Sequence, residues 1–286
     1  MEVAREDRVK MPSRPEWGLG QVIQDPAAGK VCVLFREVGE KILSLKHAKI
    51  VCVEGEEARD VWLDSMNLDP ITAGTRYLGP QSAMEAFQAK FPGGFQGTTY
   101  LEEERAPKVA AHELAIELLD EPVLGSLLDD GAFEKVGAAA LRVIGKTNLV
   151  FPSDRLALSK ALKLPGNPEL FARGLRDQLY GDDDPDVRFK RFGDVLSSMK
   201  AARWTLVTYF PFIRFPSDYM IVKPSLTQAS ATLCRFDLAF RTEPNRATYG
   251  RVLAFAGTLR ETFSELKPVD MFDIQALMWC LAGLKG

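Results

Sequence analysis

Residues 30–35 read Lys30-Val31-Cys32-Val33-Leu34-Phe35, and their alternation decides the class of the N-terminal part of the chain. In an extended strand successive side chains point to opposite faces, so Val31, Val33 and Phe35 share one face and Lys30, Cys32 and Leu34 the other. Working outward, Asp7-Arg8-Val9-Lys10, Gly20-Gln21-Val22-Ile23, Glu40-Lys41-Ile42-Leu43 and Ile50-Val51-Cys52-Val53 read as further short strands. Asp25-Pro26-Ala27-Ala28-Gly29 and Val38-Gly39 supply turn chemistry between them. Five short strands in so few residues predict a small, strongly bent barrel over residues 1–55. The glycines of Trp17-Gly18-Leu19-Gly20 do not form a dinucleotide loop, because Val22 and Ile23 continue a strand and no third glycine opens a helix. Tight strand entry, with Trp17 covering the barrel, is the expected role.

Taken together, Asp7-Arg8-Val9, Trp17-Gly18-x-Gly20-x-Val22, Val31-x-Val33-x-Phe35 and Gly39-x-Lys41-x-Leu43 resemble the small Tudor-like or SH3-like module at the C-terminus of bacterial UvrD-type helicases. The same residues are similar, more distantly, to the RNA-polymerase-interacting module of CarD-type regulators and of the transcription-repair coupling factor. The resemblance covers under a fifth of the chain. It implies a docking module, often for RNA polymerase, without a catalytic centre. The chain departs from the helicase pattern in the proline-bracketed Pro12-Ser13-Arg14-Pro15-Glu16 that precedes Trp17. No G-x-x-x-x-G-K-[ST] occurs, so ATP-driven translocation is not implied.

After Val53 the pattern turns irregular and partly acidic, and residues 56–79 are expected to be a linker. From Pro80 onward helical signals dominate, which predicts a mostly α-helical domain over residues 80–286. Ala83, Phe87 and Phe91 share a face before Pro92-Gly93-Gly94 stops the segment. Tyr100–Leu119 is a second helix, broken or kinked at Pro107. Asn167-Pro168-Glu169 carries a capping side chain, a first-turn proline and an acid near the dipole, with Leu170, Leu175 and Leu179 as the apolar stripe. Residues 249–266 and 271–281 read as closing helices, and a short strand pair is expected near Met220–Val222 and Leu238–Phe240. The fold class is therefore α+β, a small N-terminal β-barrel ahead of a larger helical domain. Phe91-Pro92-Gly93-Gly94-Phe95, Trp204-Thr205-x-x-Thr208-Tyr209-Phe210-Pro211-Phe212, Lys223-Pro224 and Asp270-Met271-x-Asp273-Ile274-Gln275 resemble the helical region of a bacterial family to which the resemblance attaches no activity.

The chain has 286 residues, 46% of them hydrophobic and 26% charged, with a formal net charge of −3. These values fit a globular protein of about two domains and argue against wholesale disorder or a fibrous repeat. No apolar run approaches a bilayer span, and the charged opening is unlike a signal peptide, so a cytoplasmic location without a membrane partner is expected. The near-neutral total is a cancellation. Residues 1–55 hold 9 basic and 8 acidic side chains, 56–135 hold 6 and 16, and 136–286 hold 21 and 15. Cys32, Cys52, Cys234 and Cys280 form no C-x-x-C and read as reduced thiols.

Chemistry-bearing motifs are sparse. His47 and His112 are the only histidines, and Ala110-Ala111-His112-Glu113 lacks the second histidine of a zinc protease. Asp182-Asp183-Asp184-Pro185-Asp186 lacks the ligand order of a calcium loop and reads as a solvated loop and helix cap. Glu265-Leu266-Lys267 matches a nuclease triplet but ends a helix, and no G-x-S-x-G elbow is present. No cofactor, metal site or catalytic residue is expected. Arg188-Phe189-Lys190-Arg191-Phe192 is the most suggestive run: Phe189, Phe192, Leu196 and Met199 make a buried face, which leaves the basic side chains for phosphate or an acidic partner.

The expected function is a non-enzymatic adaptor of bacterial transcription or DNA repair. Arg8, Lys10, Arg14, Trp17 and Lys41 are the candidate partner-binding residues for RNA polymerase or a repair complex. Arg188, Lys190, Arg191 and Arg203 are the candidate nucleic-acid contacts. A divergent metal-dependent DNA-processing enzyme and a self-associating scaffold are the alternatives.

Overall fold

The computed structural model describes residues 3–67 and 77–284. Five strands come first: β1 (Arg8–Lys10), β2 (Gly20–Ala27), β3 (Lys30–Phe35), β4 (Gly39–Ser44) and β5 (Val51–Cys52). They form one antiparallel sheet in the order β4-β3-β2-β1-β5. Small β module and larger helical part agree with the expected fold class. The sheet itself is open, since β4 and β5 are not paired among the described residues and no barrel is closed.

Both faces of this sheet are used. Val9, Val22, Val31, Val33, Phe35 and Leu43 form a core of their own. Leu19, Ile23 and Leu34 point the other way and belong to the core of the helical body. The alternation of β3 is therefore observed as expected, Leu34 facing one core while Val33 and Phe35 face the other. Two glycines permit the tight spacing. A Cβ on Gly20 would lie 2.7 Å from Val33 Cγ1 and 2.8 Å from Phe35 Cδ1. Gly39 closes the β3–β4 hairpin at φ 71, with the Tyr77 ring occupying the space of its missing Cβ.

Of residues 56–79, expected as a linker, 68–76 lie outside the described residues. The described part contains α1 (Val61–Ser65), capped by the Asp60 carboxylate on Leu63 N–H. Its Trp62 and Leu63 are buried in the helical core, with the Trp62 ring edge-on to Phe263. The Trp62 indole N–H donates to the Tyr77 hydroxyl at 3.0 Å, and that hydroxyl donates to the Arg36 carbonyl.

The helical body continues with α2 (Pro80–Lys90), α3 (Ala106–Leu119), α4 (Glu121–Asp129), α5 (Phe133–Ile144) and α6 (Pro152–Ala161). It closes with α7 (Asn167–Tyr180), α8 (Pro185–Ser198), α9 (Trp204–Arg214), α10 (Pro224–Leu233), α11 (Arg246–Thr262) and α12 (Met271–Gly283). A helix that is apolar all round must be buried all round. Accordingly, α9 is buried from Trp204 to Ile213, and α12 is buried at every position from Met271 to Met278. The aromatic run at Trp204 is thus core, as are Phe189, Phe192, Leu196 and Met199. No helix among the described residues is long and apolar enough to cross a membrane.

Several local expectations are corrected. Tyr100–Leu119 does not break at Pro107: a π-helical turn over Tyr100–Arg105 runs into α3, and Pro107 sits in the first turn of α3, where the chain passes from the wider π turn into the α-helix. Asn167 is not a cap. Gly166, left-handed at φ 80, takes that position, and Asn167 Nδ2 donates to the Ala161 carbonyl at 2.9 Å. Leu170 is exposed and Phe171 carries the buried stripe instead. Met220–Val222 and Leu238–Phe240 are not strands. Side chains satisfy the backbone there, Val222 N–H donating to Thr208 Oγ1 at 2.9 Å and the Tyr249 hydroxyl to the Met220 carbonyl at 3.0 Å.

Candidate functional site

Trp17 ends a short 3-10 turn, Pro15–Trp17, and the left-handed Gly18 that follows sends the chain into β2. The indole meets Phe35 edge-on at 5.1 Å between ring centroids and is partly buried against the sheet's own core. Arg14 and Lys41 place their cations 5.9 and 5.8 Å from the indole centroid. A cation over an aromatic face is held by the ring quadrupole, worth about 0.5–1 kcal/mol at an exposed site. The result is an outward-facing aromatic flanked by two positive charges, on the face of the sheet turned away from the helices.

Arg8 and Lys10 do not join that patch. The Arg8 guanidinium pairs with Asp64 of α1, and its Nη1 is buried without a partner among the described residues. Lys10 Nζ lies 2.9 Å from Glu57 Oε2. Both residues tie β1 to the segment after the sheet. The structure therefore brings Arg14, Trp17 and Lys41 together and sets Arg8 and Lys10 elsewhere.

The second set lies around a groove of about 1250 Å³. The outer side of α8 forms one wall, and the N-terminal turns of α6, α9, α10 and α11 form the other. Lys190, Arg191 and Arg203 line it; Arg188 does not. Each cation already has a partner. Lys190 pairs with Asp194 at 2.7 Å, and Arg191 with Asp177 at 3.0 Å and Asp183 at 2.8 Å. Arg203 lies 3.9 Å from Asp154, whose other oxygen accepts from Thr205 Oγ1 at 2.6 Å. Arg188 Nη1 donates to the Gln178 carbonyl at 3.1 Å. A phosphate entering this groove would have to displace carboxylates. The acidic run beside it is also engaged: Asp183 holds Arg191, and Asp184 caps α8 through Asp186 N–H at 2.7 Å. Among the described residues no group of three or more His, Cys, Asp or Glu side chains is placed to hold a metal.

A buried polar cluster had no counterpart in the sequence reading. Arg105 spans Asp270 and Asp273 at the start of α12, with contacts of 2.7 and 2.6 Å, and the Tyr100 hydroxyl donates to Asp273. Burial and the Asp273 charge push the Tyr100 hydroxyl well above its ordinary range. Lys108 lies beside Glu104 at 3.2 Å, and its burial lowers the ammonium's pKa. The π-helical turn supplies Tyr100, Glu104 and Arg105 to this cluster. The partners of Tyr100 and Arg105 lie more than 160 residues away, at Asp270 and Asp273. His112 Nδ1–H donates to the Ile213 carbonyl at 2.7 Å and its ring packs beside Phe272, a bracing role. The four cysteines are free, and burial raises the thiols of Cys32, Cys234 and Cys280.

Residues 5–53 match a family model described as "Protein of unknown function (DUF3553)". No curated protein and no solved structure matches the chain. The family match covers the β module, in keeping with a small antiparallel unit, and extends over none of the helical body.

Proposed function

We propose that the protein is a non-enzymatic adaptor of bacterial transcription or DNA repair, whose β module docks onto RNA polymerase or a nucleoprotein partner. The observation that carries this reading is the partly buried Trp17 at the surface of the module, flanked by Arg14 and Lys41. Tryptophan and arginine are the side chains most often found to dominate protein interfaces. The resemblance of the module to Tudor-like and CarD-type docking modules supports the choice of partner. DNA-backbone contact by Arg188, Lys190, Arg191 and Arg203 would add a second, weaker contact.

The test uses the full chain against purified bacterial RNA polymerase on a biosensor surface. Saturable binding is expected, weakened about tenfold or more when Arg14→Glu and Lys41→Glu are combined, since rim charges mainly set complementarity. Trp17→Ala should weaken it more, by roughly 30-fold for a hot-spot aromatic. The charge reversals leave the Trp17–Phe35 packing intact and so separate docking from folding. Absence of binding to polymerase and to a reconstituted helicase-containing repair complex would sink the reading. For the second contact, duplex DNA anisotropy should fall steeply with salt, and Arg203→Glu should flatten that slope.

A further inference from the structure

Among the described residues the outer edge of β4 has no strand partner. Natural sheets guard such an edge with proline, a bulge, or charges laid across it, because its free N–H and C=O groups template pairing with another strand. β4 carries no such guard. It contains no proline, and its six pairs with β3 run without a register shift, whereas the β2–β3 ladder slips twice. Its two charges are drawn off to opposite faces, Glu40 to Arg235 and Lys41 to the Trp17 ring. Between them and the strand end lies Ile42, 73% exposed, the most exposed large hydrophobic side chain of the described residues.

The ladder fixes which groups face outward. Leu45 N–H donates to the Gly29 carbonyl at 2.9 Å, making that a hydrogen-bonded pair of the β3–β4 hairpin. Hydrogen-bonded and non-hydrogen-bonded pairs alternate along an antiparallel ladder. Leu43 and Lys41 therefore bond inward to β3, and the main-chain groups of Glu40 and Ile42 and the Ser44 N–H point out from the sheet, the Ser44 carbonyl accepting instead from His47 and Ala48 N–H at 3.0 and 2.8 Å.

We propose that β4 pairs antiparallel with β4 of a second copy of this chain, with Ile42 opposite Ile42 across a two-fold axis. This register pairs Ile42 with Ile42 and sets Ser44 N–H against the Glu40 carbonyl at both ends, for roughly four inter-chain hydrogen bonds. It also sets Lys41 beside Leu43, so no like charges oppose. The neighbouring register, centred on Lys41, would form about as many bonds but face two ammonium groups across the strand pair. Self-complementarity of the edge thus selects a second copy, and a single register, as the occupant. A strand pair alone buries less than the roughly 1,200 Å² of a stable interface, so the dimer is a weak one of the micromolar range. The inference does not rest on polymerase docking, because Ile42 lies on the opposite face of the sheet from Trp17.

Sedimentation of the full chain between about 5 and about 300 μM covers the range of such an interface. The mass is expected to rise from 31.7 kDa toward twice that value. Ile42→Lys, at an exposed position that leaves the fold intact, should stay at the monomer mass throughout. Register is read by mild oxidation of variants built on Cys32→Ala, because Cys32 on β3 lies directly across from residue 42 and would otherwise capture a cysteine there within one chain. Ile42→Cys places two Cα atoms about 5.5 Å apart, within disulfide range. Ser44→Cys on the same edge leaves them roughly 14 Å apart. Ile42→Cys should therefore cross-link at least tenfold faster. A mass fixed at the monomer value, an Ile42→Lys variant that associates like the wild type, or equal cross-linking of the two cysteine variants would each overturn the proposal.

Discussion

Lys200 occupies left-handed backbone at φ 58, directly after α8, where Lys200 N–H donates to Ser197 and Ala201 N–H to Leu196. That pairing is the helix ending normally built on glycine, which alone adopts this conformation without a Cβ clash. Lys200→Gly is expected to stabilise the protein by up to about 1 kcal/mol in urea unfolding, and a loss of stability would refute the assignment. Gly20 makes the opposite case. Gly20→Ala would drive a methyl into Val33 and Phe35 and should cost about 1–3 kcal/mol. Arg105 shows what sequence conceals at this scale. Nothing local to Arg105 indicates that its charge is needed, because Asp270 and Asp273 arrive only through the tertiary fold. Arg105→Ala leaves two buried carboxylates unpaired and should cost roughly 3–5 kcal/mol, whereas a surface value below about 1 kcal/mol would contradict the buried pairing.

Element by element, legibility follows the range of the forces involved. The period of two in β3 and the apolar face of α8 are written in adjacent residues, and both were readable. The start of α7 was misplaced by one residue because Gly166 and Asn167 both suit a helix entry, and only packing against the end of α6 decides between them. The strands expected near Met220 and Leu238 failed for a related reason: extended, apolar residues need not pair when Thr208 and Tyr249 satisfy the backbone of the first stretch and Thr248 that of the second. Of the candidate docking residues, Arg14, Trp17 and Lys41 converge, while Arg8 and Lys10 were drawn away by carboxylates beyond the sheet. Between elements, Arg214 joins α9 to Asp120, which precedes α4, and to Tyr180 at the end of α7. The Arg214 hydrogen bond holds the Asp120 carboxyl below its ordinary value of 3.8. A depressed carboxyl contributes stability above its unfolded pKa, lost as pH falls through the folded one. Asp120→Asn should therefore make stability less sensitive to acid below about pH 4, measured as the urea midpoint against pH.

At the scale of the molecule, the charge division seen in the sequence is largely compensated locally. The basic half of the chain carries its own carboxylates, as the paired walls of the groove show, so its surplus does not form a bare cationic track. The sheet has a different reach. Its two faces are claimed by two cores, and the family match ends at residue 53 without including Trp62, Leu63 or any helix against which Leu19, Ile23 and Leu34 rest. Cutting the chain there would return those three side chains to water at about 2 kcal/mol each. The excised module should consequently lose amide protection along β2 and β3 in hydrogen exchange, while the intact chain melts in one cooperative transition. What sequence comparison delimits as a unit is, for the folding chain, one half of a shared sandwich.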